Sequence, residues 1–172
     1  MPRMDASWES RLLNLWRDID RYEQTAFVAE IESLMLELPS GSPLGLFERA
    51  SAQDSTGHPD VAIPLYRAAL EGGLDGLRRR RATIQLASSL RSLGYANDAV
   101  ALLRTELDAA SDELDDAVRA FLALALVDLG HEREAAAIVL AALSKYLPRY
   151  NRSLARYASE IATSRTGNVG AP

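Results

Sequence analysis

Three glycines at nearly equal spacing are the feature that most restricts how this chain can fold. Gly57, Gly94 and Gly130 are separated by 37 and 36 residues, and an alanine stands seven residues before and five residues after each of them. A period of this length, with small residues at fixed offsets, indicates a repeated helix-turn-helix unit. The six alanine positions are Ala50, Ala62, Ala87, Ala99, Ala123 and Ala135.

Glycine and alanine at these positions suit two antiparallel helices joined by a tight turn. Glycine ends a helix at little cost because it adopts the left-handed conformation readily. Alanines at the contact points let the two helices approach closely, while larger side chains fill the space beside them. We expect Tyr66, Leu103 and Val139, each nine residues after its glycine, to fill the matching place on the returning helix.

Composition favours helices and excludes several classes of function. Of the 172 residues, 48% are hydrophobic and 6% are aromatic, and alanine and leucine dominate the hydrophobic share. The formal net charge of −5 disfavours nucleic acid and anionic membrane surfaces as partners. Because the chain has no cysteine, it has no disulfide, thiolate zinc site or cysteine nucleophile.

The regions on both sides of the repeats also have helical periodicity. Apolar side chains at helical spacing predict two helices within residues 7–38, which we interpret as an N-terminal hairpin. A further helix is predicted over residues 148–162, beginning at Pro148 and covering the last repeat. Residues 163–172 have no apolar anchor, and we expect a flexible tail there.

The location of the protein is predicted from two absences. The first residues, MPRMDASWES, lack the apolar segment of a signal peptide. No uninterrupted apolar run approaches the roughly 18 residues that a membrane span needs. We therefore expect a cytoplasmic protein without a membrane partner.

The repeat resembles the tetratricopeptide repeat family, and in particular its short bacterial single-domain members. The resemblance extends from residue 43 to about residue 147 and implies repeats over residues 43–74, 80–110 and 116–146. It implies one domain over residues 1–162 with an all-α fold. This fold is a tetratricopeptide-like α-solenoid of antiparallel helix pairs, preceded by an N-terminal helical hairpin and followed by a C-terminal capping helix. The sequence departs from the family pattern early in each first helix, where a bulky aromatic is replaced by Leu46, Thr83 and Arg119.

No motif for catalysis or metal binding accompanies the repeats. His131 begins a string similar to the zinc-protease HExxH, but Ala135 stands in the place of the second histidine. The acidic residues of SDELDD, residues 111–116, are explained by capping of a helix start. We predict a protein that is not an enzyme, with no cofactor and no bound metal.

The resemblance also implies where a partner would bind. In this family the first helices of successive repeats line a concave groove, and the matching positions here are Phe47, Asp54, Arg81, Gln85, Ser88, Arg91 and Ser92. We expect Arg81 and Arg91 to bind acidic groups, and Gln85 and Ser88 to hydrogen-bond a peptide backbone. The alternative is an ordinary hydrated surface. The four arginines at residues 78–81 leave the same choice open, between an anion-binding patch and a solvated turn.

The sequence therefore predicts a non-catalytic protein-protein interaction module that acts as an adaptor or scaffold. Its partner is an unidentified protein or peptide, and the two arginines raise the hypothesis that this partner is acidic. The alternative is a self-associating module that forms a homodimer through the apolar surface of the third repeat. Residues 117–129 are apolar on nearly all sides, so something should cover Phe121, Leu124 and Val127. The cover is either the C-terminal helix, through Leu154 and Tyr157, or a second subunit.

Overall fold

The computed structural model describes residues 6–109 and 111–163. In this part of the chain, all regular secondary structure is helical. A short 3₁₀ turn, Ile19–Arg21, follows the first of the α-helices. The prediction of an all-α fold is confirmed. The helices are α1 (Ala6–Arg17), α2 (Gln24–Met35), α3 (Pro43–Ser55), α4 (Pro59–Glu71), α5 (Gly76–Ser92), α6 (Ala96–Leu107), α7 (Asp115–Asp128), α8 (Glu132–Ser144) and α9 (Asn151–Thr163).

The chain folds into two compact units whose boundary lies within α5, after Ser89. In the N-terminal unit, residues 1–89, α1 packs against α2, α2 against α3, and α3 against α4. In the C-terminal unit, residues 90–172, α6 packs against α7, α7 against α8, and α8 against α9. Packing between consecutive helices is the arrangement expected of helix-turn-helix repeats.

The three turn glycines adopt the conformation that the spacing predicts. Gly57, Gly94 and Gly130 have φ angles of 85°, 88° and 76°, in the left-handed region. The same backbone hydrogen bond closes each turn, since the amide after the glycine donates to the carbonyl five residues earlier at 2.9 Å in all three turns. One turn geometry is thus used three times.

The repeated alanines are buried, as predicted. Four of them are completely inaccessible, and Ala123 and Ala135 are only 4% and 3% exposed. The expectation for the ninth residue after each glycine holds for Tyr66 and Leu103 but is wrong for Val139, which is 42% exposed. The reason is that α8 packs against both α7 and α9. The buried residues of α8 are small ones, Ala135, Ala137 and Ser144, and Val139 is not among them.

The predicted N-terminal hairpin has its own apolar core. Trp8 and Leu12 of α1 pack with Phe27 and Ile31 of α2 in a cluster that also includes Ala52 of α3. The indole Nε1 of Trp8 is satisfied within this core, where it donates to the carbonyl of Leu34 at 3.2 Å. Apolar periodicity in residues 7–38 therefore predicted both helices of this region.

Some helix boundaries differ from the sequence prediction. Helix α5 begins at Gly76 rather than at residue 80. Helix α9 begins at Asn151 rather than at Pro148, because Tyr150 has a φ of 67° and cannot continue a right-handed helix. Thr163 belongs to α9, and the rest of the predicted tail, residues 164–172, lies outside the described residues. None of the helices described in residues 6–109 and 111–163 is long and apolar enough to cross a membrane.

Substitution of Gly94 by alanine tests the glycine turn. Gly94→Ala should lower the free energy of unfolding by about 1–2 kcal/mol, the cost of a left-handed conformation for a residue with a Cβ. The added Cβ would meet no atom within 4 Å, so backbone strain alone should cause the loss. The midpoint of urea unfolding measures the effect.

Gly45→Ala is the matched control. Gly45 lies in α3, where an added Cβ would make ordinary contacts of 3.6 and 3.7 Å. Alanine is the better helix former, so this variant should be as stable as the wild type or more stable. Equal losses in the two variants would contradict the assignment of the strain to the turn.

Candidate partner-binding site

Side chains of helices α3 and α5 contact each other in three layers within the N-terminal unit. The guanidinium carbon of Arg81 lies 5.5 Å from the centroid of the Phe47 ring. The other layers are hydrogen bonds, from Ser51 Oγ to Gln85 Oε1 at 3.5 Å and from Ser89 Oγ to Asp54 Oδ1 at 2.8 Å. We call this surface the α3–α5 strip, defined as Phe47, Ser51, Asp54, Arg81, Gln85, Ser88 and Ser89.

The strip has a buried floor and an accessible surface. Phe47, Ser51 and Ser89 form the floor, since each is at most 2% exposed. Arg81 is exposed, while Asp54, Gln85 and Ser88 are half-buried. A partner can therefore reach the side chains of these last four residues.

The predicted role of Phe47 needs correction. Its ring is completely buried between Arg81 and the Tyr66 ring, whose centroid lies 6.3 Å away. It cannot contact a partner directly. Phe47 instead supports the Arg81 guanidinium, because a cation is attracted to the face of an aromatic ring.

Arg81 carries the accessible positive charge of the strip. No carboxylate lies within ion-pair distance of it in residues 6–109 and 111–163. A carboxylate from a partner could form two parallel hydrogen bonds with such a guanidinium. The role of Arg81 as a contact for an acidic ligand stays a prediction.

Asp54 carries the negative charge of the strip. Its carboxylate accepts hydrogen bonds from Ser89 Oγ and, at 3.5 Å, from the Tyr66 hydroxyl. Burial raises the pKa of Asp54, and the hydrogen bonds from Ser89 and Tyr66 offset part of that increase. Throughout the part of the chain that the structure describes, no arginine, lysine or histidine pairs with this carboxylate.

Arg91 and Ser92 belong to the C-terminal unit. Arg91 is half-buried, and its Nε lies 2.6 Å from Asp128 Oδ2. An acidic partner would have to compete with Asp128 for this guanidinium. Ser92 is exposed on the last turn of α5. The role of both residues as partner contacts stays a prediction.

The four arginines at residues 78–81 do not form one exposed anion-binding patch. Arg78 pairs with Glu9, with Nη2 2.8 Å from Oε2, and Arg80 is only 2% exposed. Arg81 lies over the Phe47 ring. The sequence could not separate these environments because they depend on which other helix lies opposite each side chain.

A buried carboxylate lies close to the strip. Glu48 of α3 is 4% exposed and accepts a hydrogen bond from Trp16 Nε1 at 2.8 Å. Burial raises the pKa of Glu48, while the Trp16 hydrogen bond and the charges of Arg78 and Arg81 act against the increase. No motif marked Glu48, since its neighbours come from other helices.

The C-terminal helix packs on the third repeat, but the prediction that it covers Leu124 and Val127 is wrong. Helix α9 packs against α8, where Ala158 is 1% exposed, and leaves much of the outer face of α7 open. Leu124 and Val127 remain 45% and 48% exposed, and Tyr157 is 49% exposed. Small side chains allow α9 to pack closely along α8. The structure thus has an apolar α7 surface, defined by Leu124 and Val127.

Comparison with known protein families agrees with this architecture. A family model described as tetratrico peptide repeat matches residues 43–161, which is more than half of the chain. The chain belongs to the tetratricopeptide repeat family. The match extends from α3 almost to the end of α9, further than the sequence resemblance did. No curated protein and no solved structure matches the chain significantly.

Tetratricopeptide repeats are in general protein-interaction modules, and the α3–α5 strip has side chains that can form ion pairs and hydrogen bonds. It combines one arginine, one carboxylate, one amide and a hydroxyl on a buried floor. Within residues 6–109 and 111–163, no group of three or more His, Cys, Asp or Glu side chains could hold a metal ion. Ser89, which orients Asp54, was missed at the sequence level, although it stands 35 residues after Asp54, close to the repeat period.

Glu48→Gln tests the effect of the buried carboxylate. The pKa of Glu48 is raised in the folded state, so the ionised form is disfavoured by folding. Its contribution to stability should therefore improve as pH falls through the raised pKa toward the ordinary value of 4.5. Glutamine retains an acceptor for Trp16 and removes the charge. The variant should have a higher Tm than the wild type at pH 7, and the difference should disappear near pH 4.5.

Glu37→Gln is the control of opposite sign. A hydrogen bond from Arg11 lowers the pKa of Glu37, which is exposed. Removal of its charge should give no gain in Tm at pH 7. If the difference in Tm between Glu48→Gln and the wild type is the same at pH 7 and pH 4.5, the buried charge does not cause that difference.

Proposed function

We propose that this protein is a non-catalytic adaptor or scaffold that binds a peptide or protein segment on the α3–α5 strip. Membership of the tetratricopeptide repeat family supports protein interaction as the general role. The observation that carries the choice of surface is the exposed Arg81, which has no carboxylate within ion-pair distance in the described residues. The proposal includes a cytoplasmic location, which cell fractionation can test.

The strip suits recognition because its polar groups are held in place before binding. The Phe47 ring supports Arg81, and Ser51 and Ser89 hold Gln85 and Asp54 by hydrogen bonds. Preorganised side chains lose less conformational freedom when a ligand binds, which favours affinity. The Gln85 amide and the Ser88 hydroxyl can hydrogen-bond the backbone of an extended segment.

A pull-down from native lysate with Arg81→Glu and Gln85→Ala tests the proposal. A protein captured by the wild type should be reduced at least about tenfold with Arg81→Glu, because loss of one member of a hydrogen-bonded charge pair weakens binding strongly. Gln85→Ala should reduce capture of the same protein. Quantitative mass spectrometry of the captured proteins makes the comparison.

Arg67→Glu is the matched control for that experiment. Arg67 is an exposed arginine of α4 in the same unit, outside the α3–α5 strip. The charge change is identical, so capture should be unchanged if the strip is the binding surface. Equal capture by the wild type and all three variants would show that partners bind elsewhere. Circular dichroism establishes that each variant remains folded.

A second candidate function is self-association through the apolar α7 surface. Two large aliphatic side chains, Leu124 and Val127, are nearly half exposed on one helix, and apolar surface of this kind marks contact sites between proteins. A second copy that covers both side chains would remove this surface from water.

Light scattering distinguishes this candidate from the adaptor. A homodimer would have about twice the 18.8 kDa mass of the chain. The double variant Leu124→Glu/Val127→Glu should return the mass to that of one chain, since two negative charges on each chain would face the same two on the other. A wild type that is monomeric at high micromolar concentration eliminates the dimer.

A further inference from the structure

We propose that the segment bound by the α3–α5 strip is extended and carries one acidic and one basic group, three or four residues apart. Arg81 binds the acidic group and Asp54 binds the basic group. This inference rests on the proposed function and adds the chemistry of the partner. It replaces an acidic partner with one that carries both charges.

The first argument is that neither charge of the strip has an oppositely charged side chain within ion-pair distance in the described residues. Arg81 interacts only at longer range with the buried Glu48 carboxylate, which a partner cannot displace. Arg81 has an aromatic ring as its contact, and Asp54 has two neutral hydroxyl donors. A half-buried carboxylate is disfavoured when no cation compensates its charge, which agrees with the raised pKa of Asp54. A basic ligand group would supply that compensation.

The second argument is the distance between the charges. Arg81 lies over Phe47, and Asp54 follows Phe47 by seven residues on the same helix. At about 1.5 Å per residue the two positions are roughly 10 Å apart along the helix axis. An extended peptide advances about 3.3 Å per residue, so three residues span this distance. In a β-strand, a separation of four places both side chains on the same face of the peptide. In an extended polyproline II segment, which has three residues per turn, a separation of three does so.

The third argument is the group between the charges. Gln85 occupies the middle layer, and its Oε1 accepts from Ser51. Its Nε2 makes no hydrogen bond to another described residue and can donate to a ligand carbonyl. Backbone carbonyls are free in an extended segment, whereas those inside a helix are already bonded to its own amides. The middle layer therefore favours an extended ligand.

The same arrangement discriminates against segments of a single charge sign. An entirely acidic segment would place a carboxylate beside Asp54, and an entirely basic one would place a cation beside Arg81. Like charges in contact across an interface are strongly unfavourable. The strip thus rejects ligands by repulsion as well as selecting them by attraction.

Selection from a random peptide library tests the inference. Random 12-residue peptides are inserted within a display protein, so that neither terminus of the peptide is charged. Those that bind the full chain are selected and sequenced. Peptides enriched on the wild type should carry an acidic and a basic residue separated by three or four positions, in one order. Asp54→Asn should abolish the preference for the basic residue only, and Arg81→Gln the preference for the acidic residue only. Arg67→Gln should give the wild-type pattern.

The outcomes separate this inference from the proposed function. If the enriched peptides lack the charge pair but Gln85→Ala still abolishes their enrichment, the inference is overturned and the strip remains the binding surface. A charge pair separated by seven residues would overturn the extended conformation, since that spacing belongs to a helical ligand. Enrichment unaffected by Gln85→Ala and Arg81→Gln, or no enrichment at all, would overturn the proposed function and the inference with it.

A double-mutant cycle on the most enriched peptide assigns the basic group to Asp54. Replacement of the basic residue of the peptide by glutamine should weaken binding to the wild type about tenfold or more, measured by fluorescence anisotropy. The same replacement should have little effect on binding to Asp54→Asn, because the interaction is already absent there. Equal losses on both proteins would place the basic residue elsewhere.

Discussion

The close approach of consecutive helices at small side chains is the constraint on which the rest of this structure depends. A left-handed glycine reverses the chain after α3, α5 and α7, and buried alanines stand where the following helices lie against their neighbours. Close packing of this kind brings polar side chains of non-adjacent segments within hydrogen-bond distance. Ser51 and Gln85, which are 34 residues apart, meet for this reason.

The polar strip shows how a repeat can combine stability with recognition. Its floor is as inaccessible as the apolar core, yet two of the three floor residues are serines that hold the groups above them. Buried hydroxyls are tolerated because each one is hydrogen-bonded. The result is an arginine and a carboxylate on one face of the N-terminal unit, both supported from below and neither with an oppositely charged side chain within ion-pair distance in the residues described.

Sequence reasoning succeeded where a local rule governs the position and failed where the neighbour comes from elsewhere in the chain. The turn glycines and contact alanines follow a period, so their conformation and burial were predicted. Phe47 and Val139 have the opposite exposure from the one expected, because burial depends on which helix lies opposite. The engagement of Arg91 by Asp128 and the exposure of Leu124 and Val127 have no signature in helical periodicity.

The sequence by itself determined the helical class, the helix-turn-helix period and the family, since these depend on short-range propensities and on spacing along one chain. Only the tertiary structure decided which charges are neutralised and which are available. The physical reason is that an ion pair or a buried hydroxyl is a contact between segments, and its geometry exists only after the helices have packed. Arg81 and Arg91 are the same residue type on one helix, and they differ because Arg81 lies over the Phe47 ring whereas Arg91 pairs with Asp128.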